Sequence, residues 1–256
     1  MNFHKDNAQV TNITLNIQDL SKMKDFYINI LGMKLIEESE AGFVAGFEGS
    51  THTFTFEVLE NGRVADQNEA GLFHIAILLP TRSDLGRFIK YMFSRQIPLS
   101  GGDHLVSEAT YLVDPEGNGI EVYVDRDPDT WSWSNGQVVM DTLALDFASI
   151  VESSRNTEWS GMPEGTIIGH LHLKGGVAID PDFYDNYEFE IATKVMSAYF
   201  LASNKYHHHI AVNKWHSNKA RIDAMNTYGL KAFNILVPDA ASETVETPEG
   251  IKMVVN

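Results

Sequence analysis

The chain has 256 residues, 43% of them hydrophobic, and 35 Asp and Glu against 19 Lys and Arg give a formal net charge of -16. That balance excludes a nucleic-acid binder, because phosphate contacts need clustered cations, and it repels anionic membrane surfaces. The absence of cysteine excludes disulfides and thiolate sites, which leaves His and carboxylates as ligands for any Fe(II), Mn(II) or Zn(II). The opening MNFHKDNAQV has no apolar signal-peptide core, and no apolar run of about 18 residues suggests a membrane span. The expected location is the cytoplasm.

In chain order, residues 12–17 (NITLNI) predict a strand, and Asp19-Leu20-Ser21 predict the start of a helix. Met23, Phe26, Tyr27, Ile30 and Leu31 then recur at helical spacing until Gly32 stops them. Three short strands follow near 34–38, 43–47 and 53–59, completing a βαβββ unit. A second unit repeats the order with a strand over 73–79, a helix over 83–95 (Leu85, Phe88, Ile89, Met92) and a last strand over 120–124. A polar connection rich in Asp, Ser and Gly comes next; it holds Trp131, Trp133 and Trp159, and 142–151 is expected as a helix between the halves.

A third unit begins with IIGHLHLK at Ile167, with a short helix expected near 181–187 and strands over 198–202 and 206–213. The fourth opens with GLKAFNILVP at Gly229, which parallels GLFHIAILLP at 71–80. It runs into TPEGIKMVV, which parallels DPEGNGIEVYV, and the helix between its strands is missing. The expected fold class is α+β, with four βαβββ modules of which the fourth is eroded. The expected division is 8–126 (modules one and two), a connecting segment over 127–166, and 167–256 (modules three and four).

Two residues stand out against this pattern. His74 is the lone histidine of an apolar strand, and Glu121 is the lone acid among Ile, Val, Tyr and Val. A lone core histidine is more often a satisfied packing residue than a ligand. An ionised carboxylate out of water, however, needs a partner, and one divalent metal held by both residues accounts for both.

The order GLFHIAILLP and then DPEGNGIEVYVDR resembles the vicinal-oxygen-chelate superfamily of glyoxalases, bleomycin-resistance proteins and extradiol dioxygenases. The likeness is closer to the extradiol dioxygenases, whose signature runs Gly-x-His, a short gap, an apolar residue and Tyr, then an Asp-Pro-x-Gly turn and Glu. Here Gly102-Asp103-His104, Tyr111, Asp114-Pro115-Glu116-Gly117 and Glu121 stand in that order, with Thr110 where an apolar residue is usual. With IIGHLHL at 167–173 and YHHHIAVNKW at 206–215, the layout is similar to the bacterial catechol-2,3-dioxygenase type over nearly the whole chain.

The resemblance implies modules paired into half-barrels around Fe(II), or Mn(II), held by two histidines and one glutamate, with positions open for a catechol and O2. Two ligands map onto His74 and Glu121. The third should come from the first strand of the partner unit, where unit one offers Asn12, a poor ligand, and unit three offers His170. The implied triad is therefore His74, Glu121 and His170, with units two and three sharing a barrel and unit one paired with unit four, as in related hydroquinone-cleaving dioxygenases. Ala232 and Lys252 stand at the ligand positions of unit four, so no second metal site is expected.

His104 and Tyr111 match family residues that hydrogen-bond the catecholate oxygens. An acid/base histidine is expected from the run His207, His208, His209; strand alternation puts His207 and His209 on one face and His208 on the other. His208 and His209 are the candidates taken forward, and His172 shares the face of His170. The expected activity is an Fe(II)-dependent extradiol dioxygenase that inserts O2 into a catechol-like or hydroquinone-like diol. The expected partner is that small aromatic diol, and superfamily habit allows a homodimer. Two other readings stay open. One is a glyoxalase-type lyase or isomerase using Zn or Ni, a class that usually has a fourth protein ligand. The other is a metal-less protein that sequesters an aromatic compound.

Overall fold

A computed structural model describes residues 3–155 and 157–256. Strand β1 (Gln9–Ile17) buries Ile13, Leu15 and Ile17 in alternation. Asp19 then caps α1 (Leu20–Lys24) by accepting from the Lys22 N–H. The helix passes into a π-helical turn, Asp25–Ile30, that drives Phe26 and Tyr27 into the core. Strands β2 (Lys34–Ser39), β3 (Gly42–Gly46) and β4 (Thr53–Val58) complete the first unit.

The second unit comprises β5 (Gly71–Leu78), α2 (Arg82–Ser94), β6 (Ser100–Asp103), β7 (Ser107–Val113) and β8 (Gly119–Asp125). The connection carries a small hairpin, β9 (Trp133–Ser134) with β10 (Gln137–Val138), and α3 (Phe147–Ser153). That helix starts five residues later than 142–151 predicts, because Asp146 is the residue whose side chain caps it, accepting from the Ser149 N–H. It lies on α2, close enough that a Cβ at Gly86 would overlap the Ile150 carbonyl.

The third unit is β11 (Ile167–Lys174), the one-turn α4 (Asp182–Asp185), β12 (Glu190–Val195), β13 (Ala198–Ala202) and β14 (Ile210–Asn213). Its last strand begins four residues later than 206–213 predicts. The fourth unit is β15 (Gly229–Leu236), β16 (Glu243–Glu246) and β17 (Lys252–Val255), with no helix between them.

The units pair out of sequence. One mixed sheet runs β16-β17-β15-β1-β4-β3-β2 and joins the first unit to the fourth. The other runs β12-β13-β14-β11-β5-β8-β7-β6 and joins the second to the third. Each is seamed by an antiparallel pair of the first strands of its two units, β1 with β15 and β5 with β11. The two half-barrels share one apolar core: Ile13, Leu15, Phe54 and Phe56 from the first sheet meet Ile75, Ile77, Ile168 and Leu171 from the second.

Polar links hold the sheets in place. The DPEGNG turn is organised by Asp114, whose Oδ1 accepts from the N–H groups of Glu116 and Asn118, while Gly117 takes a φ of 86°. Asp114 Oδ2 accepts from the buried Tyr27 hydroxyl at 3.0 Å, and the Glu116 carboxylate accepts from the N–H groups of Gln18 and Asp19 at the start of α1. On the far side, His52 Nδ1 accepts from the Ile168 N–H at 3.1 Å. Among the described residues no helix is long and apolar enough to cross a membrane.

Two predictions follow from this packing. Burial pushes the His52 imidazole from 6.5 down to about 4. The unfolded chain therefore takes up the proton first. Stability from this residue is full above pH 6.5 and lost as pH falls toward 4, by roughly 3 kcal/mol in all. His52→Asn keeps an acceptor for Ile168 and cannot titrate, so urea unfolding at stepped pH should give a flatter acid limb for the variant. Parallel limbs would remove His52 from the account. The Thr110 hydroxyl, which stands where an apolar residue was expected, is buried and donates to the Val122 carbonyl at 3.1 Å. Thr110→Val should cost about 1 kcal/mol in the same assay, the net worth of one such bond.

Candidate metal centre

The register of three neighbouring strands builds the site. On β5, Ala76 pairs with Glu121 of β8 on one side and with His170 of β11 on the other. His74 lies two residues from Ala76 on the same face, because side chains alternate along a strand. Ala76 is fully buried and small, so three long side chains close over it. A shift in pairing between Ile168 and His170 admits Gly169, where a Cβ would overlap the Tyr123 hydroxyl.

The three side chains converge. His74 Nε2 lies 2.9 Å and His170 Nε2 3.3 Å from Glu121 Oε2, and the two Nε2 atoms are 3.4 Å apart. The ligand atoms all fall within 4.8 Å of one another, and all three residues are buried. Burial would raise the Glu121 carboxyl, but the two imidazoles facing it hold it well below the usual carboxylate range. Burial also lowers His170 to about 4 against the pull of Glu121. A carboxylate and two imidazoles sharing one point form a donor set suited to a divalent cation. The residues present fit such an ion.

The group opens into a cavity of about 720 Å³ whose walls include Phe73, Ile120, Met140, Phe200 and Trp215. His104 and Tyr111 line it too, and they are joined: His104 Nε2 lies 2.6 Å from the Tyr111 hydroxyl. Tyr111 is the direct cross-strand partner of Glu121, and its ring centroid is 5.6 Å from that of His74. Burial, with the Glu121 charge behind it, raises the Tyr111 hydroxyl well above its ordinary range. His104 Nδ1 lies 3.0 Å from the Asp141 carbonyl oxygen, which orients the ring from the connecting segment.

His208 lines the cavity, with its ring centroid 4.0 Å from that of His170. His172 lies across the seam from His74, also lines the cavity, and has its Nε2 2.9 Å from the Asn213 side-chain amide. Burial lowers both rings, with neighbouring histidines adding to the effect. His209 is not brought to this group. Its ring packs on His4, Phe189 and Tyr206, and its Nδ1 accepts from the Ser203 N–H. The reason is local: 207–209 precede β14, with bends at His207 and His209 before the strand begins at Ile210.

The positions in the other sheet that correspond to these ligands hold nothing comparable. The Asn12 amide donates to the carbonyl and hydroxyl of Thr53 and to the Thr55 hydroxyl, and Ala232 pairs with Lys252. Residues not singled out by sequence also contact the site. Asn213 holds His172, and Asp125 lies 2.9 Å from His207, the neighbour of His208. Neither carries a motif; only the three-dimensional pairing brings them in.

Comparison with known proteins gives a consistent answer. The profile described as "Glyoxalase/Bleomycin resistance protein/Dioxygenase superfamily" matches residues 9–122. The chain is 34% identical over 230 residues to a protein named catechol-2,3-dioxygenase from Bacillus subtilis (strain 168), covering 88% of this chain and 81% of that one. Its fold matches the crystal structure of a putative dioxygenase from Bacillus subtilis subsp. subtilis str. 168, with a TM-score of 0.62, 13% identity, and 96% and 84% of the two chains covered. It also matches the cppA protein from Streptococcus pneumoniae TIGR4, with a TM-score of 0.60, 13% identity, and 97% and 98% covered. With its paired βαβββ modules and its long match to a curated relative, the chain belongs to the glyoxalase/bleomycin resistance protein/dioxygenase superfamily.

Proposed function

We propose that this protein is a metal-dependent extradiol dioxygenase that opens the ring of a catechol-like or hydroquinone-like diol. The observation that carries the reading is the convergence of His74, Glu121 and His170 at the floor of an apolar cavity, open on the cavity side. Two histidines and one carboxylate on one face suit Fe(II), with Mn(II) close behind. The relative's name, catechol-2,3-dioxygenase, supports the same class.

In this reading His74 Nε2, His170 Nε2 and Glu121 Oε2 hold the ion. When bound, a ferrous ion supplies adjacent positions for diol and O2 and a route for electrons between them. The remaining steps belong to the side chains. Phe73, Phe200 and Trp215 take the aromatic ring and exclude water. The His104–Tyr111 pair, 2.6 Å apart, hydrogen-bonds a diol oxygen and holds it over the triad. His208 takes a proton from the diol and returns one to the opening product. The glyoxalase-type alternative has less support, because the described cluster offers three His or carboxylate ligands and no fourth.

Protein purified without oxygen should carry close to one iron per chain and consume O2 on addition of catechols, with a coloured ring-opened product. His74→Ala should lose the iron and the uptake together. Retained zinc or nickel without oxygen uptake would move the assignment to a lyase. Binding of aromatic diols that survives His74→Ala, with no metal even after reconstitution, would leave a sequestering protein. Tyr111→Phe should keep the metal and lower kcat by about ten- to a hundred-fold, since it removes one polar contact to the reacting diol.

A further inference from the structure

Behind His208, on the side away from the cavity, lies a line of polar contacts that the proposed reaction does not by itself require. His208 Nδ1 is 2.8 Å from His207 Nδ1, and His207 Nε2 is 2.9 Å from Asp125 Oδ1. Asp125 Oδ2 is 3.0 Å from the Tyr206 hydroxyl, which is in turn 2.8 Å from the Tyr123 hydroxyl. His207 is fully buried, whereas the Asp125 side chain is 21% exposed at the end of β8 and lines a second cavity.

With Asp125 as a carboxylate and His207 uncharged, the hydrogen count along this line has one solution. A carboxylate only accepts. The Tyr206 hydroxyl therefore donates to Oδ2 and accepts from Tyr123, and His207 donates its Nε2–H to Oδ1. A neutral His207 with its proton on Nε2 presents Nδ1 as an acceptor. The nitrogen facing it must then be a donor, so His208 carries its proton on Nδ1. That leaves His208 Nε2 unprotonated, and it is the nitrogen that is not occupied by His207. We infer that Asp125 and His207 are positioning residues that fix the tautomer of His208, so that it meets the cavity as a base through Nε2. This rests on the dioxygenase reading for the role of His208, but the tautomer itself does not.

The inference makes Asp125→Asn an inverting substitution rather than a simple deletion. The Tyr206 hydroxyl needs an acceptor, so the amide oxygen takes the place of Oδ2 and the NH2 takes the place of Oδ1. The NH2 donates to His207 Nε2, His207 moves its proton to Nδ1, and His208 must accept there. His208 then carries its proton on Nε2 and faces the cavity as a donor. The shape of the site is kept and the sense of one proton is reversed.

Long-range 1H–15N NMR of the full chain at neutral pH reads this directly, with Zn(II) as a diamagnetic occupant of the triad and His208 assigned by its loss in His208→Phe. Wild type should show His208 protonated on Nδ1 and His207 on Nε2, and Asp125→Asn should show both reversed. A wild-type His208 protonated on Nε2, or tautomers unmoved in Asp125→Asn, would overturn the inference without any need for the variant to turn over. In oxygen uptake by the iron protein, Asp125→Asn should lower kcat by about 100-fold or more with little change in KM, the range for losing acid–base catalysis. Asp125→Glu, which restores the acceptor, should recover part of it. The expected tautomers in a protein that consumes no oxygen with any diol would sink the dioxygenase reading and leave the relay standing. The opposite tautomer in an active enzyme would do the reverse.

Discussion

A carboxylate buried in the middle of a β-sheet is the constraint on which the rest of this structure depends. Glu121 is 2% exposed, and a charge so placed costs several kcal/mol unless it is matched. Its match comes from His74 and His170, which stand on strands from different units. The sheet must therefore hold β8, β5 and β11 side by side and in one register, because a slip of one residue would turn each side chain to the opposite face. The small Ala76 at the centre, the pairing shift before His170 and the Asp114-organised turn before β8 all serve that register. Because the three donors meet at one point, a cation held there would also stabilise this sheet.

The other half-barrel has the same architecture without the constraint. Where the second sheet gathers imidazoles, the first has Asn12 satisfied by two threonines and an alanine facing a lysine backbone partner. One sheet carries the candidate site, and its companion supplies the opposite wall of a shared apolar core. Three polar ties add to that core: Tyr27 to Asp114, Glu116 to the start of α1, and His52 to Ile168. Each joins a loop or helix of the first unit to the backbone or turn of a strand that bears a ligand, so the scaffold acts on the site through its edges.

Much of this was legible in the chain. The stretches NITLNI, GLFHIAILLP and IIGHLHLK marked β1, β5 and β11, and the echoes of GLFHIAILLP and DPEGNGIEVYV marked the fourth unit. The lone acid in an apolar strand marked Glu121 on physical grounds alone. What failed to show did so for a reason. Strand alternation set His208 apart from His207 and His209 but could not say which side turns inward; His208 reaches the cavity and His209 does not. The helix of the connecting segment begins where Asp146 caps it, later than its apolar residues suggested. Asn213 and Asp125 are polar residues near strand ends, of a kind found all over a protein surface, and only the assembled sheet gives them partners.

The out-of-sequence pairing of the units has a consequence for how the chain comes to be folded. His74 and His170 are 96 residues apart, and β1 waits still longer for β15, which ends at Leu236. A ribosome delivers units one and two first. At that stage β1 and β5 each have a partner on one side only, so the nascent chain carries two open strand edges at once. Neither edge closes before the later units arrive, and contacts of such long sequence separation form slowly. The architecture that brings these three side chains to one point thus makes this chain depend, during its own synthesis, on keeping two apolar strand edges away from other chains until β11 and then β15 have been made.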